Sequence, residues 1–104
     1  MRTTLILTTA PNLKEARVIA RTLVTKRLAA CVSVKPGWLS SYRWEGRVQT
    51  AKEVLLLIKT TERQFNKIET VIRQNHSYEI PEIIAIPVRK GSKEYLSWLN
   101  QCVR

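Results

Sequence analysis

Apolar residues fall along this chain in short runs with two different periods. "TTLILTTA" (Thr3–Ala10), closed by Pro11, predicts a first strand. Asn12 followed by Glu15 then resembles a capping box, with the Asn12 side chain accepting amide hydrogen bonds at a helix start. Leu13, Ala16, Ala20, Leu23 and Val24 share one helical stripe, and Lys14, Arg17 and Arg21 face water on another. "LAACVSV" predicts a second strand, after which Pro36-Gly37 signals a turn or bulge. The third strand leaves a turn at Glu45-Gly46 and runs through "VLLLIKT". Thr61 with Gln64 is a second capping-box pattern, ahead of a helical stripe of Phe65, Ile68, Val71 and Ile72. "EIIAIPV" is the fourth strand. Gly91-Ser92 opens a short final helix with Tyr95, Leu96, Leu99 and Cys102 on its apolar side.

This order is βαβ–βαβ plus a terminal helix, so the expected fold is α+β, a ferredoxin-like split βαβ sandwich. Its 104 residues make one domain, 1–104. Helices on one face of such a sheet leave the other open, and open faces call for alternating apolar and polar residues. "LIL", "VLLLI" and "IIAI" are instead apolar on both sides, and the chain has no spare element to cover them. A further copy of the chain is the simplest cover. The second and third strands also form an overlong hairpin. The run from Cys31 to Trp44, if straight, would reach roughly 46 Å, whereas a compact domain of this length is about 34 Å across. The arm must bend at Pro36-Gly37 or project. Trp38, Ser40, Tyr42 and Trp44 fall on one side of it, an aromatic stripe suited to an interface.

The net charge of +10, from 18 basic and 8 acidic residues, favours anionic partners without choosing one. The basic residues are scattered, which suits a solvated surface. No run has the length of a membrane span, and the N-terminus reads as a strand rather than a leader, so the expected location is cytoplasmic. Cys31 and Cys102, far apart and without metal spacing, fit a reducing compartment. A Gly-rich phosphate loop, G-x-S-x-G, H-E-x-x-H and C-x-x-C are all absent, so no enzyme is predicted.

The segments "KRLAACVSVKPGWLSSYRWEGRV", "EVLLLIKTT", "HSYEIPEIIAIPV" and "YLSWLN" resemble the CutA family of divalent-cation tolerance proteins, nearly end to end and in the same order. The resemblance implies a cytosolic homotrimer similar in architecture to the PII signalling proteins, with strands paired across subunits, clefts between them, and a link to copper and other divalent metals. Copper ligands proposed in that family are a Cys near the end of the first strand and two adjacent His. The matching positions here are Thr8, Asn75 and His76, and the family's His-Pro-Tyr is His76-Ser77-Tyr78.

His76 is the only histidine, and one imidazole is not a copper site by itself. Its position also suits a side chain hydrogen-bonding at a helix end. Cys31, among Ala and Val, reads as a buried, inert thiol. Trp44, Glu45, Lys59, Tyr78 and Glu82 are the polar and aromatic positions inside the family-like motifs. A Lys59–Glu82 pair fits a ligand-lined cleft between subunits or an ion pair fixing trimer register. The sequence thus points to a trimeric, non-enzymatic assembly that binds metal or a small ligand, with no obligatory cofactor and Cu(II) held weakly. The alternative is a basic module binding nucleic acid through surface charge. Base stacking on the sheet, as in RNA-binding modules of this fold, would need aromatics that "LILTT" and "VLLLIKT" lack.

Overall fold

The structure is a computed structural model and describes residues 2–104. Strands β1 (Thr3–Ala10), β2 (Cys31–Trp44), β3 (Arg47–Thr61) and β4 (Ile83–Pro87) form one antiparallel sheet in the order β2-β3-β1-β4. Helices α1 (Leu13–Thr25) and α2 (Phe65–Asn75) cross one face, and α3 (Lys93–Cys102) ends the chain. This is the expected split βαβ arrangement: β3 lies between β1 and β2, antiparallel to both, so that β1 and β2 run parallel. Among the described residues no helix is long and apolar enough to cross a membrane.

Two of the three helix starts follow from their caps. The Asn12 side chain accepts the Glu15 amide at 2.9 Å, and Ser92 accepts the Tyr95 amide at 3.2 Å. The second capping box does not form. Glu62–Gln64 is a 3-10 turn, Thr61 makes no cap bond, and the Gln64 amide group reaches across the fold to the Arg104 carbonyl at 2.6 Å. The helices cover Ile6, Val54, Leu56 and Ile58 with Ala16, Ile19 and Leu23 from α1 and Ile68, Val71 and Ile72 from α2. Ile19 takes the core position expected of Val24, which is exposed.

The opposite face is the uncovered one. Register places Leu5 beside Lys59 and Ile86, and Leu7 beside Leu57 and Ile84. Leu5, Leu7, Leu57, Ile84 and Ile86 make an apolar surface of which Ile84 and Ile86 are 47% and 43% exposed. Leu99 and Val103 from the end of the chain form a small second cluster with Ala30. Cys31 lies on this face and is half-buried within the single chain, not enclosed as the strand composition suggested.

Candidate functional site

The site begins with one extra residue in β2. Lys35 pairs with Leu55 and Trp38 with Glu53, so two residues, Pro36 and Gly37, oppose Val54 alone. Gly37 has φ 74°, left-handed backbone that a side chain disfavours. Beyond this bulge Trp38, Ser40, Tyr42 and Trp44 face the same side as Glu53 and Leu55, which makes the aromatic stripe continuous with the apolar face of the sheet. The arm then projects, giving the chain a long dimension of 44 Å against 25 and 23 Å. It closes at Glu45 and Gly46, with φ 49° and 76°, the paired left-handed residues of a tight hairpin turn.

The facing wall is the segment from His76 to Glu82, tied to β1, α1 and β3 by side-chain hydrogen bonds. His76 ends α2. Its Nδ1 accepts the Tyr78 amide at 3.1 Å, which makes Nε2–H the donor to the Thr9 carbonyl at 2.6 Å. Ser77 gives its amide to Glu15 Oε1 at 2.9 Å and its hydroxyl to Glu15 Oε2 at 3.0 Å, tying the segment to the start of α1. Tyr78 lies 4.8 Å from the His76 ring and donates its hydroxyl to Glu53 Oε2 at 2.9 Å. Burial, reinforced by the bond to Glu53 and its charge, pushes the Tyr78 hydroxyl up to about 12, so it remains a donor at neutral pH.

Arm and segment enclose a groove of about 810 Å³. Of the residues singled out from sequence, Trp44, Tyr78 and Glu82 line it. Glu45 does not, because the turn conformation occupies it at the tip of the arm. Lys59 is elsewhere on the sheet face, donating to Ser33 Oγ and standing 3.8 Å from Cys31 Sγ. Within the chain no Lys59–Glu82 pair forms; the ion pairs among the described residues are Arg2–Glu62 and Arg73–Glu69. Glu53 was not anticipated. Its signal was present: it is an acid two residues before Leu55, in phase with Leu55 and Leu57.

The side chains at the three family copper positions do not offer a set of metal ligands. Thr8 is fully buried among β-strand neighbours, and its Oγ1 has no hydrogen-bond partner. Asn75 turns its Nδ2 back to the Val71 carbonyl at 2.8 Å. His76 has both ring nitrogens engaged. Among the described residues no three His, Cys, Asp or Glu side chains cluster as ion ligands. The residues present therefore do not build a copper centre of that kind.

Known proteins match this chain over almost its whole length. Divalent-cation tolerance protein CutA of Thermus thermophilus is 47% identical over 96 residues, covering 92% of this chain and 93% of that protein. The solved Thermus thermophilus structure superposes with a TM-score of 0.95 at 44% identity, covering 98% of this chain and 99% of that one. Protein CutA 1, chloroplastic, of Oryza sativa is 42% identical over 92% of this chain, which spans only 54% of that longer protein. The sequence model described as CutA1 divalent ion tolerance protein matches residues 4–102, and the chain belongs to that family.

Proposed function

We propose that this chain acts as a cytoplasmic homotrimer, a non-enzymatic divalent-cation tolerance protein that holds a small ligand or metal in clefts between subunits. The uncovered apolar face carries the reading. Leu5, Leu7, Leu57, Ile84 and Ile86, continued by Trp38, Tyr42 and Trp44 along a projecting arm, form a surface that monomers in water rarely leave bare. An arm that reaches past its own domain can lie along a neighbour and add strands to its sheet. In a ring of three, each groove would meet a neighbouring subunit, making Trp44, Tyr78 and Glu82 cleft residues and placing Lys59 at a contact between sheets.

Metal enters this reading weakly. Cu(II) could take Nδ1 of His76 only by displacing the Tyr78 amide, and water would supply its remaining ligands. One imidazole won in competition gives affinity in the micromolar range or weaker. The nucleic-acid reading gains nothing from the site. The open face of β1 and β3 presents Leu5, Leu7 and Leu57 where base stacking needs rings, and the groove is lined by glutamates.

Light scattering on a size column tests the assembly. The expected mass is three times the 12.0 kDa of one chain. Obligate interfaces of this type bury on the order of 2,000 Å² or more, so dilution should not dissociate it. A well-folded monomer at micromolar concentration would refute the reading.

A further inference from the structure

Helix α1 ends on a residue that its backbone position does not favour. The Arg27 amide bonds the Val24 carbonyl at 3.0 Å and the Leu28 amide reaches the Leu23 carbonyl at 2.9 Å, the paired bonds that close a helix around a left-handed residue. That residue is Arg27, with φ 59°, where glycine is the usual occupant and a side chain is strained. Strain of this kind persists where other contacts hold it in place, and here they come from the far end of the chain. Arg27 Nε donates to the Cys102 carbonyl at 3.1 Å and Nη2 to the Gln101 carbonyl at 2.9 Å. Both carbonyls belong to the last turn of α3, where no amide of the helix itself can reach them. The Arg27 carbonyl in turn accepts the Arg104 amide at 2.9 Å.

These polar bonds matter because α3 has few apolar ones. Its buried anchors are Leu99 and, just past its end, Val103, in a small cluster with Ala30 that stands apart from the main core. Tyr95 and Trp98 remain 43% exposed. Ordering a ten-residue helix costs more than so small an apolar contact returns, so the guanidinium fork decides whether α3 stays docked. We propose that α3 is a strap that opens as a unit while the core stays folded, and that Arg27 is its latch. Opening bares Ala30, next to Cys31 on the open face of the sheet, and frees Leu99 and Val103 for another surface. The left-handed strain at Arg27 is then the cost of placing a fork where glycine would end the helix more easily.

Hydrogen exchange of the full-length protein, read by mass spectrometry on peptides from each element, tests this. In the parent, α3 amides should exchange about tenfold or more faster than those of β1 and β3. Arg27→Gly and Arg27→Ala separate the latch from the helix end. Glycine suits the left-handed position better than arginine and alanine suits it no better, but neither carries the fork. Both should therefore speed α3 exchange about tenfold, the loss of two charge-assisted bonds reduced by solvent, and labelling of Cys102 by a thiol reagent should rise in step. In Arg27→Gly, α1, β1 and β3 should exchange as slowly as in the parent. Arg27→Lys keeps the charge without the fork; it should recover only part of the protection and carries the test if the other two misfold. Unchanged α3 exchange in Arg27→Gly, or in Arg27→Lys where that variant alone folds, would reduce Arg27 to a helix terminator and overturn the latch. α3 amides that exchange only together with β1 and β3 would overturn the strap.

Discussion

The link between Glu15 and Ser77 gives a quantitative test of what holds the groove wall in place. Glu15 accepts three hydrogen bonds, from the Ser77 amide, the Ser77 hydroxyl and the Asn12 side chain at 2.9, 3.0 and 3.2 Å. Bonds to a charged acceptor are worth about 1.5–3 kcal/mol when well sheltered. These are partly exposed, so solvent reduces them, and their losses overlap. Glu15 also sits in the first turn of α1, where a carboxylate adds about 0.5 kcal/mol through the helix dipole. Glu15→Ala should therefore cost about 1–2 kcal/mol in denaturant unfolding at neutral pH. It should also speed amide exchange at Ser77 and Tyr78 while leaving the core strands protected.

The effect has a pH signature. Burial pushes the Glu15 carboxyl up, but the Ser77 and Asn12 bonds and the nearby His76 outweigh it, and the net value falls below the ordinary 4.5. A carboxyl lowered on folding contributes stability that is fully present above its unfolded value and lost as pH falls through its folded one. The deficit of Glu15→Ala should thus shrink in acid below the ordinary carboxyl range. Ser77→Ala removes the hydroxyl bond alone and should show a smaller loss with the same pH trend. A variant as stable as the parent at neutral pH, or a deficit that persists undiminished in acid, would refute this account of the wall.

Two further outcomes follow from the proposed assembly and its metal. Trp44→Ala removes a ring that is 40% exposed in the single chain and that the proposed trimer would bury against a neighbour; a loss of about 3 kcal/mol is expected, read as a lower melting temperature, and an unchanged temperature would leave the ring in solvent. Calorimetric titration of Cu(II) should give weak binding that His76→Ala abolishes, whereas tight binding that survives the substitution would place the metal elsewhere.

The sheet order, the hairpin and the open face were legible because they depend on local period and on chain order. "LIL" and "VLLLI" announce two buried faces wherever they occur, and the βαβ–βαβ order admits few ways to fold. What escaped the sequence was set by contacts distant along the chain. Thr61 and Gln64 have the spacing of a capping box, but Gln64 is claimed by the Arg104 carbonyl, a partner 40 residues away. Val24 belongs by composition to the apolar stripe of α1, yet Ile19 faces the sheet more directly and Val24 lies one step round the helix. Glu53 was hidden by its neighbours: an acid beside five apolar residues reads as the end of a strand until Tyr78, 25 residues on, is seen to bond it. Lys59 and Glu82 lie in motifs of the family, but Lys59 pairs with Leu5 whereas Glu82 precedes Ile83, which pairs with Thr8, so they do not meet within one chain.

The bulge at Pro36 and Gly37 imposes a rule of parity on the arm. Beyond it, facing depends only on whether the count of residues from the bulge is odd or even, since neighbours in a strand point opposite ways. Trimming one residue from each side of the tip would shorten the arm and leave its remaining rings facing as before. Regular pairing through Pro36 and Gly37 with every residue kept would set Gly37 opposite Glu53 and turn Trp38, Tyr42 and Trp44 to the other side of the sheet, so the rings share the face of Glu53 only because the extra residue is bulged out. The reach of the arm is thus an adjustable quantity, while its handed presentation of rings is all or none and is set by one supernumerary residue.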